Sequence, residues 1–102
     1  MGEFRRVIAA SELAPGQCRE ALAGDRPIAL CNVAGEFHAL ENRCAHRGGP
    51  LGQGVLAGTV LVCPWHAWGF DVTTGISDVN AELRVGRYEV KLEDGQVFVK
   101  VE

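Results

Sequence analysis

Two runs near the C-terminus carry the clearest pattern in the chain. Tyr88 to Glu93 and Gln96 to Val101 alternate apolar and polar side chains on either side of Asp94-Gly95. Alternation with period two puts one face of a strand in a core and the other in water, and Asp-Gly is a dipeptide that closes a two-residue hairpin. Arg26 to Val33 reads as a further strand, turned by Ala34-Gly35-Glu36 into Phe37 to Glu41. Thr59 to Cys63 is β-branched and apolar, the signature of a buried strand. Val7-Ile8 opens a short strand, and Leu13 to Gln17 reads as a turn around Pro15-Gly16. Helical claims are confined to Ser11 to Leu13 and a short piece around Asn80 to Leu83. The 13 glycines are spread among the turns, and no repeat, low-complexity tract or linker interrupts the pattern. The expectation is an all-β antiparallel sandwich or small barrel, one domain spanning residues 1–102.

Composition narrows the function classes. A chain of 102 residues buries roughly 60–65% of its unfolded surface, so a modest core or a metal staple is expected. Lys and Arg number 10 against 13 Asp and Glu, a net charge of −3, and no basic stripe is present for a nucleic-acid backbone. Apolar residues at 47% and charged residues at 23% are those of an ordinary globular protein. No apolar run approaches the roughly 20 residues that cross a bilayer. Arg5-Arg6 is followed by apolar residues only from Val7 to Ala10, short of an export h-region of about 7–15 residues. Arg6 stands where N-myristoylation wants Ser or Thr. These readings predict a cytoplasmic protein away from membranes, whose four cysteines stay reduced and serve as ligands or core residues.

The chemistry lies in Cys44-Ala45-His46 and Cys63-Pro64-Trp65-His66, with 16 residues between them. Each segment offers one thiolate and one imidazole from a single tight loop. Two sulfur and two nitrogen ligands suit either tetrahedral zinc or a [2Fe–2S] cluster. Zinc modules more often keep their cysteines in one loop and their histidines in another, whereas a Rieske centre takes two cysteines on one iron and two histidines on the other. Two mixed loops facing each other match the second arrangement, with Cys44 and Cys63 on one iron and His46 and His66 on the other. The stretch Arg47-Gly48-Gly49-Pro50-Leu51-Gly52 lets backbone approach sulfur for N–H···S bonds, Pro50 and Pro64 stiffen the loops, and Asn42 is placed to brace the first of them. Trp65, Trp68 and Phe70 either wall the site from water or simply pack as core.

Other polar residues read more plainly. Cys31 sits in an apolar strand as a small core residue, while Cys18 follows a turn with no partner at ligand spacing. His38 is expected on an exposed strand face. Gly52-Gln-Gly54-Val-Leu-Ala57 matches Gly-x-Gly-x-x-Ala, but Gly58 and a β-branched run follow at once where a dinucleotide fingerprint needs a helix.

Cys44 to Leu51, Cys63 to Asp71 and then Thr74-Gly75 resemble the Rieske domain of soluble Rieske-type ferredoxins, and the likeness extends from about Val7 through the Glu93-Asp94-Gly95 hairpin. The resemblance implies three stacked antiparallel sheets with two cluster loops at one tip, and one [2Fe-2S] cluster held by Cys44, His46, Cys63 and His66. It implies a one-electron carrier, not an enzyme, passing electrons from an NAD(P)H-dependent flavoprotein reductase to a terminal, ring-hydroxylating oxygenase, and acting as a monomer. Alternatives are the small subunit of an NADH-dependent nitrite reductase or a structural zinc domain. The Rieske part of a ring-hydroxylating oxygenase would need some two hundred further residues for its catalytic iron domain. The positions of the loop disulfide of respiratory Rieske proteins correspond to Gly48 or its neighbour and to Trp65, so that bond cannot form, and Trp68 and Phe70 replace the serine and tyrosine hydroxyls of that class. Fewer donors to sulfur imply the low end of the Rieske potential range of about −150 to +300 mV. Two departures stand out. Ala67 replaces a common glycine, which is tolerable unless that backbone needs positive φ, and Asp78-Val-Asn-Ala81 lacks an expected proline.

Overall fold

A computed structural model describes residues 3–44, 48–65 and 67–101. Among these residues nine strands follow in chain order: β1 (Glu3–Ala9), β2 (Cys18–Ala23), β3 (Arg26–Val33), β4 (Glu36–Glu41), β5 (Val55–Ala57), β6 (Val60–Val62), β7 (Gly69–Asp71), β8 (Arg87–Glu93) and β9 (Gln96–Val101). The two hairpins legible from their turns form as two-residue loops. Asp94 and Gly95 have φ of 52° and 75°, and Ala34 and Gly35 have 51° and 96°, the pair of left-handed residues that a type I′ turn requires.

The differences from the sequence reading have local causes. β1 begins at Glu3 rather than Val7, because pairing with β9 carries its polar first half. β2 went unassigned: Cys-Arg-Glu-Ala-Leu-Ala has neither alternation nor β-branching, and it is a strand only by pairing with β3. The piece at Asn80–Leu83 is a turn and not a helix, since the Asn80 side chain takes the Glu82 N–H at 2.9 Å and its carbonyl takes the Leu83 N–H. Near Ser11 the helical claim reduces to a 3₁₀ turn over Ala10–Glu12, and a second one, Leu51–Gln53, follows the first cysteine loop.

The strands form a six-stranded antiparallel sheet, ordered β1-β9-β8-β4-β3-β2, and a three-stranded one, β5-β6-β7. β8 meets β4 over only two pairs, Ala39 with Tyr88 and Leu40 with Arg87, so the long sheet folds back there and its edge strands β1 and β2 touch. Three layers result, as the resemblance implies. Ile28, Leu30 and Ala39 pack against Ile8, Val97 and Val99 across the first gap. The opposite face of the same strands, Ala29, Cys31 and Leu40, packs against Leu61, Phe70 and Val72 across the second. β3 is therefore buried on both sides, which explains its continuous apolar run.

Candidate metal centre

Two loops leave this second core side by side. Cys44 lies beyond the end of β4, and Cys63 follows β6; each is 1% exposed and both belong to the cluster of Leu51, Leu56, Leu61 and Phe70. The first loop is closed by the Gly48 N–H donating to the Cys44 carbonyl at 2.7 Å and the Cys44 N–H donating to the Gly49 carbonyl at 2.8 Å. Gly48 has φ 76°, backbone that a side chain rarely adopts. In the second loop the Cys63 N–H donates to the Trp68 carbonyl at 2.7 Å.

Close approach of the loops depends on Gly49. A Cβ there would stand 3.0 Å from Cys63 Sγ and 2.9 Å from Trp65 Cδ2, so a methyl group would drive the loops apart. The Cys44 and Cys63 thiols are within hydrogen-bonding reach of each other. Burial pushes the Cys63 thiol up, the neighbouring Cys44 adds to that, and the Trp65 N–H, 3.4 Å from Cys63 Sγ, opposes it. Two adjacent buried thiols are a good donor pair for a soft metal, which takes them as thiolates. They fit the sulfur end of a mixed-ligand cluster. His46 and His66 lie outside the described residues, and among the described residues no third His, Cys, Asp or Glu joins the two cysteines.

The surroundings correct some expectations. Among the described residues the N–H donor on sulfur is Trp65, whereas the Gly48 N–H is spent on the Cys44 carbonyl. Phe70 is fully buried and Trp68 packs on the same core, but Trp65 is 48% exposed and lies over Gly49. Ala67 has φ 59°, the condition under which its methyl group is strained. The segment without the expected proline is held by Asp78, whose Oδ1 accepts the Gly69 N–H at 3.0 Å while its own N–H donates to the Gly69 carbonyl.

Asn42 braces the first loop as expected: its Oδ1 accepts the Gly52 N–H at 2.7 Å. Its Nδ2 donates to Glu20 Oε2 at 2.5 Å, and Gln53 Nε2 donates to Glu20 Oε1 at 2.8 Å. These two donors, Gln53 first, hold the Glu20 carboxyl below its usual range. Glu20 is a supporting residue that sequence reasoning missed, because its role depends on β2 being a strand. Gly54 admits the chain beside β6, where a Cβ would fall 1.9 Å from the Val62 carbonyl oxygen; a 3₁₀ turn and β5 occupy the Gly-x-Gly-x-x-Ala stretch, which carries no helix.

His38 is buried, not exposed: it is 8% accessible and stands opposite Cys31. Its face of β4 is covered by the three-stranded sheet, which the local alternation could not reveal. Its Nε2 lies 2.7 Å from Glu36 Oε1 without hydrogen-bond alignment. Cys31 is core, as read, with its thiol pushed up to about 12 by burial and then by Cys18.

Comparison with known proteins agrees with this geometry. The model of the Rieske [2Fe-2S] domain matches residues 3–89. Ferredoxin CarAc of Metapseudomonas resinovorans is 35% identical over 96 residues, covering 92% of this chain and 90% of that protein. The ferredoxin component of biphenyl 2,3-dioxygenase from Rhodococcus jostii (strain RHA1) is also 35% identical, over 98 residues, covering 95% of this chain and 92% of the relative. Among solved structures, a chain in the complex of reduced oxygenase and oxidised ferredoxin of carbazole 1,9a-dioxygenase superposes with a TM-score of 0.85 at 35% identity, covering 94% of this chain and 91% of its own length. With paired buried cysteines on two facing loops, three β layers and a match over most of its length, the chain belongs to the Rieske [2Fe-2S] domain family.

Proposed function

We propose that this protein is a one-electron carrier in a multicomponent oxygenase system, with Cys44 and Cys63 on one iron and His46 and His66 on the other. The observation that carries the reading is the buried, contacting Cys44–Cys63 pair on loops whose sequences each add a histidine. When bound, a Rieske cluster supplies a one-electron couple with an unusually high potential for its type, because two neutral imidazoles replace two thiolates. The residues of this chain determine its setting. Cys44 and Cys63 are kept dry by Leu51, Leu61 and Phe70, and the Trp65 N–H takes up charge on the Cys63 sulfur. With one such donor described and no hydroxyl at Trp68 or Phe70, the potential belongs at the low end of the family range. That suits reduction by an NAD(P)H-dependent flavoprotein reductase and delivery to a terminal, ring-hydroxylating oxygenase. The relative found in complex with its oxygenase supports the second partner. The exposed Trp65 brings the loop pair to the surface for such docking. The protein acts in the cytoplasm, as a monomer and as one domain.

The test is an assay of iron, zinc and acid-labile sulfide joined to electron paramagnetic resonance after dithionite reduction. About two irons and two sulfides per chain with a rhombic Rieske signal are expected. Zinc without sulfide would refute the carrier role and make the four residues a structural site. The His66→Cys variant isolates the ligand assignment: it should retain iron but lose the Rieske spectrum and drop in potential, and an unchanged spectrum would remove His66 from the ligand set.

A further inference from the structure

Cys18 and Cys31 are paired Cα to Cα across the β2–β3 hairpin. The register shows what kind of pair this is. β2 ends and β3 begins around the two-residue loop Gly24-Asp25, so Ala23 and Arg26 form a hydrogen-bonded pair. Antiparallel pairs alternate between hydrogen-bonded and non-hydrogen-bonded, which makes Leu22–Pro27 non-hydrogen-bonded, as the missing proline N–H demands. The same count makes Gln17–Asn32 hydrogen-bonded, and the Asn32 N–H does donate to the Gln17 carbonyl at 2.9 Å. Cys18–Cys31 therefore occupies a non-hydrogen-bonded position, where Cα atoms stand about 4.5 Å apart and side chains approach most closely. That separation lies within the range of about 4.4–6.8 Å found for disulfide-bonded cysteines. Directly opposite residues share a face of the sheet, and both cysteines belong to the core beside Leu51 and Leu56.

We infer that Cys18 and Cys31 form a thiol–disulfide site, separate from the metal centre, that is oxidised by a low-molecular-weight disulfide such as oxidised glutathione. Cys18 is the entry point. It is half-buried and lines an open groove of about 440 Å³ together with Gln17, Arg19, Gly54 and Val55, while Cys31 is sealed in the core. The Cys18 thiolate attacks one sulfur of the small disulfide, releasing one thiol and leaving a mixed disulfide. The Cys31 thiolate then displaces the second thiol and closes the Cys18–Cys31 bond. Two electrons pass to the small disulfide, and the two cysteine protons finish on the released thiols. The bond has a structural consequence. Cys18 Sγ now donates to the Gly54 carbonyl at 3.3 Å, and turning toward Cys31 removes that contact from the end of the Leu51–Gln53 turn. The inference stands on the β2–β3 register and is independent of the carrier role.

The experiment incubates the iron-loaded protein in glutathione buffers from fully reduced to fully oxidised, traps free thiols by alkylation and maps the peptides. The expected result is a linked peptide pair containing Cys18 and Cys31, with the iron content and visible spectrum retained. Cys18→Ser should abolish the linked pair and leave the spectrum in place. Both cysteines alkylated at the most oxidising ratio would overturn the inference, as would separate glutathione adducts or linkage of either to Cys44 or Cys63. Absence of iron and sulfide from the starting protein would instead refute the carrier role and leave this result readable.

Discussion

At Ala34 and Ala67 a methyl group stands on left-handed backbone, φ 51° and 59°. For a residue with a Cβ that conformation costs roughly 1–2 kcal/mol, and asparagine and glycine tolerate it best. Ala34→Asn in the β3–β4 turn is expected to stabilise the protein by about 0.5–1 kcal/mol, read as a higher denaturant midpoint at constant slope. Ala67→Gly gains less, because glycine also loosens the unfolded chain. The opposite change at Gly49 should be severe. Gly49→Ala places a carbon 3.0 Å from Cys63 Sγ and should abolish iron and sulfide retention while far-ultraviolet circular dichroism stays that of the β fold; full metal retention would show that the loops have room to spare. At this scale the sequence is a good guide to which residues matter and a poor one to why. The spacing of Cys44 and Cys63 proposed them as sulfur donors, but it could not say that Gly48 supplies a turn while the Trp65 N–H points at the Cys63 sulfur.

β2 shows how an element acquires its role from its neighbours. Read alone, Cys18 to Ala23 has no strand pattern, yet the fold uses it to set Glu20 under the first cysteine loop and Cys18 beside Gly54. Asn42→Ala would leave the Gly52 N–H without its partner, a loss of about 1–3 kcal/mol if water cannot replace it, measured by denaturant unfolding of the iron-loaded protein. Glu20 adds a pH dependence whose sign follows from its lowered folded-state value. A carboxyl depressed on folding contributes stability above its unfolded value of 4.5 and loses it as the pH falls through the folded value. Stability of the Glu20→Gln variant should therefore decline less steeply than wild type below about pH 4.5; parallel acid curves would show that the carboxylate contributes nothing there. The side chain is exposed, so the difference is small. His38 makes the same point in reverse: alternation placed it outside, and the three-stranded sheet covers it.

Over the whole molecule, the central leaf β2-β3-β4 is sandwiched between two others, and both cysteine loops grow from the side that faces β5-β6-β7. Metal bound there ties separate layers together, and a ligand that binds only the folded state stabilises it. Removing iron with a chelator under reducing conditions should lower the melting temperature and expose Cys44 and Cys63 to alkylation, with protection restored on reconstitution. An unchanged melting temperature would mean that the loops are held by protein contacts alone. No helix among the described residues is long and apolar enough to cross a membrane.

What the sequence determined by itself is short-range. Alternation, β-branching and Asp94-Gly95 specify strands and turns because they act through backbone sterics and the two-residue pleat, and two Cys-x-His or Cys-x-x-His loops announce a metal because ligands must lie close in the chain to share a tight loop. Tertiary structure alone decided that Cys18 faces Cys31, that Glu20 supports Asn42, that His38 is buried and that Gly49 lets one loop lie against the other. Each of these depends on a strand finding a partner far along the chain, and register between distant strands is set by the joint fit of all the layers rather than by any one segment's own preference.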